Sequence, residues 1–200
     1  MRRFTAAQIA EMAQVLKEDG VISVPTDTVY GVCARMDSLN AQEHLRNVKH
    51  RPLTKAFPLM CADLKQIEAV AQVDARSRRI IEQHMPGPLT VVLKKKEEVP
   101  PFVNGGMETL AIRMATSDTL KELIQAVGCP VYMTSANQSG LPVCTSLDEI
   151  EKQCPDLDGM LEGSVDFHEA STIADLTHEN IRILRQGPVT LEELEENEHA

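Results

Sequence analysis

The residues Thr134-Ser135-Ala136-Asn137-Gln138-Ser139-Gly140 follow directly on the apolar run Pro130-Val131-Tyr132-Met133. Hydroxyls, amides and a glycine therefore crowd the point where a buried strand is expected to end. Open α/β sheets bind ligands at such strand ends. Groups of this kind orient a small polar molecule without attacking it. The same letters also suit a plain Ser/Asn capping turn, and the local sequence leaves both readings open.

Four further segments add to the inventory. Pro25-Thr26-Asp27-Thr28-Val29-Tyr30-Gly31 brings hydroxyls to the end of the apolar stretch Val21 to Val24. Lys49-His50-Arg51-Pro52, with Lys55 close behind, sets cations where a helix should stop. Cations there complement the helix dipole; an Arg fork beside a Lys point charge also neutralises a polyphosphate. Arg113 closes the alternating stretch Thr109 to Ile112, and Leu184-Arg185-Gln186-Gly187-Pro188 places another Arg before a turn. Together these put hydroxyls, an amide and cations after apolar strands, with no obvious nucleophile. That set fits a nucleotide and a small acid held in one cleft.

Other chemistries lack their letters. The chain has no Gly-x-x-x-x-Gly-Lys-Ser/Thr loop and no Gly-x-Gly-x-x-Gly fingerprint. Gly-x-Ser-x-Gly and His-Glu-x-x-His are missing too. His44, His50, His84, His168, His178 and His199 show no metal-ligand spacing and read as surface residues. Cys33, Cys61, Cys129, Cys144 and Cys154 form no Cys-x-x-Cys pair and read as reduced, mostly buried thiols. No metal site built from protein ligands is expected.

Two hundred residues with 42% apolar content suit one domain. Aromatics at 3% and no Trp disfavour a stacking platform for single strands. The formal charge is −10, yet His44 to Lys55 holds Arg46, Lys49, Arg51 and Lys55 with no acid among them. An acidic protein with one basic stretch suits a small anion better than DNA or another long polyanion. The N-terminus carries no apolar signal core, and no apolar run reaches membrane-spanning length. A cytoplasmic protein is expected.

The elements that must position these groups follow from periodicity. Thr5 with Gln8 starts a helix that puts Ile9, Met12, Ala13 and Leu16 on one face, and Gly20 ends it. Asn40 with Glu43 starts a second helix, closed by Arg51-Pro52. Further helices begin at Asp63, Asp74, Ser117 and Ser146. Strands are expected at Val21–Val24, Phe57–Cys61, Leu89–Leu93, Thr109–Arg113, Pro130–Met133, Ser171–Leu176 and Asn180–Arg185. This alternation predicts a single α/β domain over residues 1–188, an open twisted mixed sheet flanked by helices. Residues 189–200, rich in Glu192, Glu193, Glu195, Glu196 and Glu198, are expected as an acidic tail or short helix.

In combination the segments resemble the threonylcarbamoyl-AMP synthase family, also called the YrdC/Sua5 family. The matching pieces occur in family order: the Pro25–Gly31 and Lys49–Pro52 segments, Pro86-Gly87-Pro88-Leu89-Thr90, Leu110-Ala111-Ile112-Arg113, the Thr134–Gly140 loop, Ser171-Thr172-Ile173, and Leu184–Pro188. They cover nearly the whole chain. Past Pro188 there is no room for the extra domain of the longer members, so the short form is expected.

The resemblance implies that L-threonine, bicarbonate and ATP are combined into threonylcarbamoyl-AMP, with Mg²⁺ assisting the release of pyrophosphate. The product would feed downstream proteins that place the t6A group on adenosine 37 of tRNA. By resemblance, Thr28, Arg113, Ser135 and Ser171 hold threonine. Arg51, Lys55, Thr109, Asn137, Thr145 and Arg185 contact ATP, and Lys49 with Arg51 forms the catalytic Lys-x-Arg pair. Met60 stands where longer members carry a His, Lys55 where they carry Asn, and Ala170 where an acid often precedes Ser-Thr. Two alternatives remain: a double-stranded RNA-binding module of the same fold, and a carbamoyl-transfer role like that of hydrogenase-maturation proteins.

Overall fold

The computed structural model describes residues 1–165 and 170–196. Its strands are β1 (Arg2–Phe4), β2 (Ile22–Pro25), β3 (Tyr30–Arg35), β4 (Leu59–Cys61), β5 (Leu89–Lys94), β6 (Thr109–Met114), β7 (Val131–Ser135), β8 (Gly159–Leu161), β9 (Thr172–Asp175) and β10 (Arg182–Arg185). Its α-helices are α1 (Ile9–Lys17), α2 (Leu39–Lys49), α3 (Leu64–Val70), α4 (Ala75–His84), α5 (Asp118–Val127), α6 (Leu147–Gln153) and α7 (Leu191–Glu196). The strands form one mixed sheet in the order β1-β8-β2-β3-β7-β4-β6-β5-β9-β10. The pairs β1–β8, β2–β8, β4–β6 and β5–β9 are parallel and the others antiparallel. The expected open mixed α/β sheet is what folds.

Strand alternation splits the apolar side chains between two faces. On one face Leu45, Val48, Ile67, Val70, Ile80, Ile81 and Ile150 of the helices pack on Leu59, Cys61, Leu89, Val91, Leu93, Leu110 and Ile112. On the other, α1 and α5 supply Met12, Ala13, Leu16, Leu120, Leu123 and Ile124 against Phe4, Ile22, Val24, Cys33, Met60, Val131 and Met133. This second cluster stops at β4: it contains no described side chain from β5, β9 or β10. The far half of that face, with Val92, Ala111 and Ile173 half-buried, is left bare of helices. The uneven helix cover leaves this half of the face as the place where a ligand could lie against the sheet.

The helix starts follow their capping letters. Asp63, Asp74, Ser117 and Ser146 each accept the expected backbone N–H with their side chains. Two expectations are corrected. Ser38, not Asn40, caps α2, since its hydroxyl accepts from the Ala41 N–H. The first helix stops at Lys17, and Asp19 rather than Gly20 takes the left-handed turn at φ 65°.

Three strands escaped the sequence. β3 (Tyr-Gly-Val-Cys-Ala-Arg) is buried on both faces and therefore lacks the alternation of a half-exposed strand. At Gly31 within it a Cβ would lie 2.3 Å from Met133 Sδ, so any larger residue makes the Met133 side chain shift. β1 and β8, three residues each, pair only with chain far away in sequence. At the C-terminus Leu194 of α7 is fully buried in the main core, so residues 189–196 pack on the same core. His168, His199 and Glu198 lie outside the described residues.

Candidate substrate cleft

The cleft has two lobes joined by the β2–β3 turn. In the first, Arg113 leaves β6 beside Met60 of β4. Its Nη1 donates to Thr28 Oγ1 at 3.4 Å, its Nη2 donates to Asp27, and Nε and Nη2 donate to the Gly87 carbonyl at 3.2 and 3.0 Å. Thr26 shapes the turn, its hydroxyl donating to the Val29 carbonyl at 2.6 Å. Asp27 Oδ1 is buried with no hydrogen-bond partner, although buried polar atoms are rarely left so. Next to Arg113, Thr90 and Ser171 share a hydroxyl–hydroxyl bond of 2.9 Å. Arg185 donates to the Ser171 carbonyl (2.8 Å) and to its hydroxyl (3.1 Å). Burial, and after it the nearby Arg113 charge, press the Arg185 pKa down. Two guanidiniums thus face one hydroxyl-lined space, an arrangement an anion would relieve.

The second lobe centres on Lys49, the last residue of α2, which is only 2% exposed. Its Nζ donates to the Ser135 carbonyl and to Asn137 Oδ1, the latter at 3.0 Å. Asn137 is fixed in turn: Oδ1 accepts from Ser135 Oγ at 2.6 Å, and Nδ2 donates to the Gln138 and Leu141 carbonyls. Burial lowers the Lys49 pKa from 10.5 to about 8, with a smaller push from Arg51. The thiols of Cys144 and Cys154, both fully buried, neighbour Lys49, and desolvation raises both thiol pKa values. The Ser139 N–H donates to the Lys49 carbonyl at 2.9 Å, while Ser139 Oγ is buried without a partner. The lobes meet because Gly31 of β3 pairs with Ser135 of β7 and the Ala136 N–H donates to the Tyr30 carbonyl.

Thr28, Arg113, Ser171 and Arg185 therefore gather in one lobe, and Lys49, Ser135 and Asn137 in the other. Arg51 reaches the second lobe's rim differently than the sequence suggests. Its Nη2 donates to the Ala56 carbonyl at 2.6 Å and its guanidinium lies over Phe57. Lys55 is exposed on the same loop. Thr145 sits at the rim, exposed, its hydroxyl donating to Glu149 at 3.0 Å. Thr109 is the outlier. It shares the bare face with Arg113 but lies four residues back along β6, roughly 13 Å at strand rise. It lines a separate cavity of about 700 Å³ with Lys94, Lys95, Lys96, Asp175 and His178.

Sequence reasoning passed over Asp27 and Thr90 as site residues. A lone Thr inside the apolar run Leu89–Leu93 was the available signal for Thr90; Asp27 stood inside a segment already singled out. Among the described residues, no group of three or more His, Cys, Asp or Glu gathers. The five cysteines are free. No described helix is long and apolar enough to cross a membrane.

Comparison with known proteins places these features in a lineage. Residues 14–187 match the Sua5/YciO/YrdC family model, described as telomere recombination. The threonylcarbamoyl-AMP synthase of Pyrococcus abyssi is 33% identical over 92% of this chain, which spans 55% of that relative's length. The synthase of Photobacterium profundum is 31% identical over 90% of this chain and 98% of its own. The solved structure of P. abyssi Sua5 complexed with L-threonine superposes with a TM-score of 0.89 at 30% identity, covering 98% of this chain and 60% of that one.

Proposed function

Because this chain belongs to the Sua5/YciO/YrdC family, we propose that it is an L-threonylcarbamoyl-AMP synthase, a nucleotidyltransferase acting on L-threonine, bicarbonate and ATP. The observation that carries the reading is the juxtaposition of a carboxylate-matching lobe (Arg113, Thr28, Ser171) with a cationic lobe (Lys49, Asn137). The names borne by the relatives support it, and none of them supports the RNA-binding alternative.

Arg113 receives the threonine carboxylate in a bidentate fork, with Thr28 and Ser171 offering hydroxyls. The amine must be neutral to attack carbon dioxide or bicarbonate. Asp27, paired with Arg113 through its other oxygen, places a carboxylate beside the ammonium, whose proton leaves to solvent. Amine and bicarbonate give carbamate and water. A carbamate oxygen then attacks the α-phosphorus of ATP, and the bond to the β-phosphate oxygen breaks, releasing pyrophosphate. Such transfers need alignment and charge neutralisation more than covalent help. Lys49, with Arg51 and Lys55, supplies that charge, and bound triphosphate favours the protonated form of Lys49. Asn137 orients the nucleotide from the second lobe, and Arg185, held on Ser171 in the first, meets it where the lobes join. The product is a mixed anhydride, so proteins that transfer its acyl group to tRNA are the expected downstream partners.

Incubation with ATP, bicarbonate and L-threonine should release pyrophosphate and accumulate threonylcarbamoyl-AMP, read by mass spectrometry. Serine and no-amino-acid reactions are the controls. Release that ignores threonine would overturn the assignment.

A further inference from the structure

Arg46, one turn before Lys49 in α2, touches no substrate in the scheme above. Its guanidinium instead gathers the loop that follows the helix. Nη1 donates to the carbonyls of Arg51 (3.4 Å), Pro52 (2.6 Å) and Lys55 (3.3 Å). Its Cζ lies 5.1 Å from the Phe57 ring centroid, and Arg51 Cζ lies 4.8 Å from the same ring. Arg51 adds a bond from Nε to the Lys55 carbonyl at 3.2 Å. Phe57 is itself fixed, 3% exposed and tilted against Tyr132 with centroids 5.7 Å apart.

Little else orders this loop. Residues 52–55 are exposed and belong to no strand or helix. Their one internal backbone bond runs from the Lys55 N–H to the Pro52 carbonyl at 3.1 Å. The loop enters from His50, whose φ of 49° is a left-handed turn that costs a non-glycine residue. A single guanidinium collecting three carbonyls turns this short exposed segment into a ring around a fixed cation. It also stations a second positive charge beside Arg51, which burial and the Arg46 charge together push below the ordinary guanidinium range. An arriving polyphosphate lowers that repulsion.

We infer that Arg46 is a positioning residue, holding loop 51–55 in the form in which Arg51 and Lys55 meet the triphosphate. The inference rests on the synthase reading for its substrate. Loop order, however, is measurable without turnover. Trypsin cuts after Lys55 but not at the Arg51–Pro52 bond, so cleavage between Lys55 and Ala56 reports the loop directly.

For Arg46→Ala we expect that cleavage to quicken at least tenfold and calorimetric ATP affinity to fall about tenfold. The KM for ATP should rise by a similar factor while the KM for threonine stays within twofold. Guanidinium ion at millimolar concentration should restore part of the loss. Arg46→Lys retains a charged donor nitrogen for the carbonyls without the planar stack. It should show cleavage within threefold of wild type and an intermediate KM for ATP, and it decides the matter if the alanine variant does not fold. Unchanged cleavage and ATP affinity would overturn the inference. So would a fall in thermal midpoint with both KM values moving together, which marks general destabilisation. A wild-type protein that makes no threonylcarbamoyl-AMP sinks the synthase reading alone, because loop cleavage and ATP affinity still judge Arg46.

Discussion

Replacing Lys49 by Met should separate catalysis from folding. The lysine is 2% exposed, and its fall from 10.5 to about 8 corresponds to roughly 3 kcal/mol of bias against the charged form in the folded state. Methionine removes that penalty. It also removes two hydrogen bonds from a cation, each contributing about 1.5–3 kcal/mol. Neither acceptor is orphaned. Asn137 Oδ1 still accepts from Ser135 Oγ, and the Ser135 carbonyl still accepts from the Asn137 N–H at 3.1 Å. The bonds together contribute about 3–6 kcal/mol against the roughly 3 kcal/mol removed, so the thermal midpoint should be unchanged or fall by up to about 10 °C. Turnover should drop about 10²–10³-fold, the usual loss when one electrostatic stabiliser is removed.

The same substitution carries a pH signature. The folded pKa of Lys49 lies below its unfolded value, so the unfolded state binds more protons between pH 8 and 10.5. Stability then rises with pH across that window. Below pH 8 the full penalty is present; above 10.5 it is gone. Urea unfolding can be followed by circular dichroism, since the chain has no Trp. Relative to Lys49→Met, wild type should gain roughly 3 kcal/mol over the window; groups common to both proteins cancel in the difference. Parallel pH curves, or a variant with full turnover, would refute the account of Lys49 as a buried cation serving the phosphates.

Arg113→Lys loses the planar fork and should raise the KM for threonine about tenfold or more with little change for ATP, measured by pyrophosphate release. Asp27→Asn keeps the shape beside Arg113 but removes the charge paired with it; the KM for threonine should shift several-fold with little change for ATP, measured by pyrophosphate release. Gly187→Ala puts a methyl 2.3 Å from the Ala170 carbonyl and 2.4 Å from the Thr172 N. It should cost about 1–3 kcal/mol in urea denaturation and loosen Ser171 with it.

What the sequence disclosed and withheld follows from how local each signal is. Caps at Asp63, Asp74, Ser117 and Ser146 were legible because a single side chain and an amide three residues on make the cap. β3 was not, because a strand buried on both faces and built of Gly, Cys and Ala carries no alternation. The site divides in the same way. Thr28 and Arg113 could be nominated by type, but their contact spans 85 residues of chain, and the Asp27 pairing spans 86. Arg51 could be nominated from sequence as a cation at a helix end. That it spends donors on its own loop's carbonyls follows from the backbone path after Pro52, which letters do not encode. Thr109 matched a motif, yet its place on β6 sets it in a cavity that Arg113 does not line.

The two sulfhydryls beneath the cationic lobe make the protein its own clock. Cys144 and Cys154 are sealed from solvent beside Lys49, so an alkylating reagent reaches them only when the segment above peels away. Their labelling rate counts those openings directly, and a nucleotide that clamps the lobe shut should slow the count even where no chemistry is turning over.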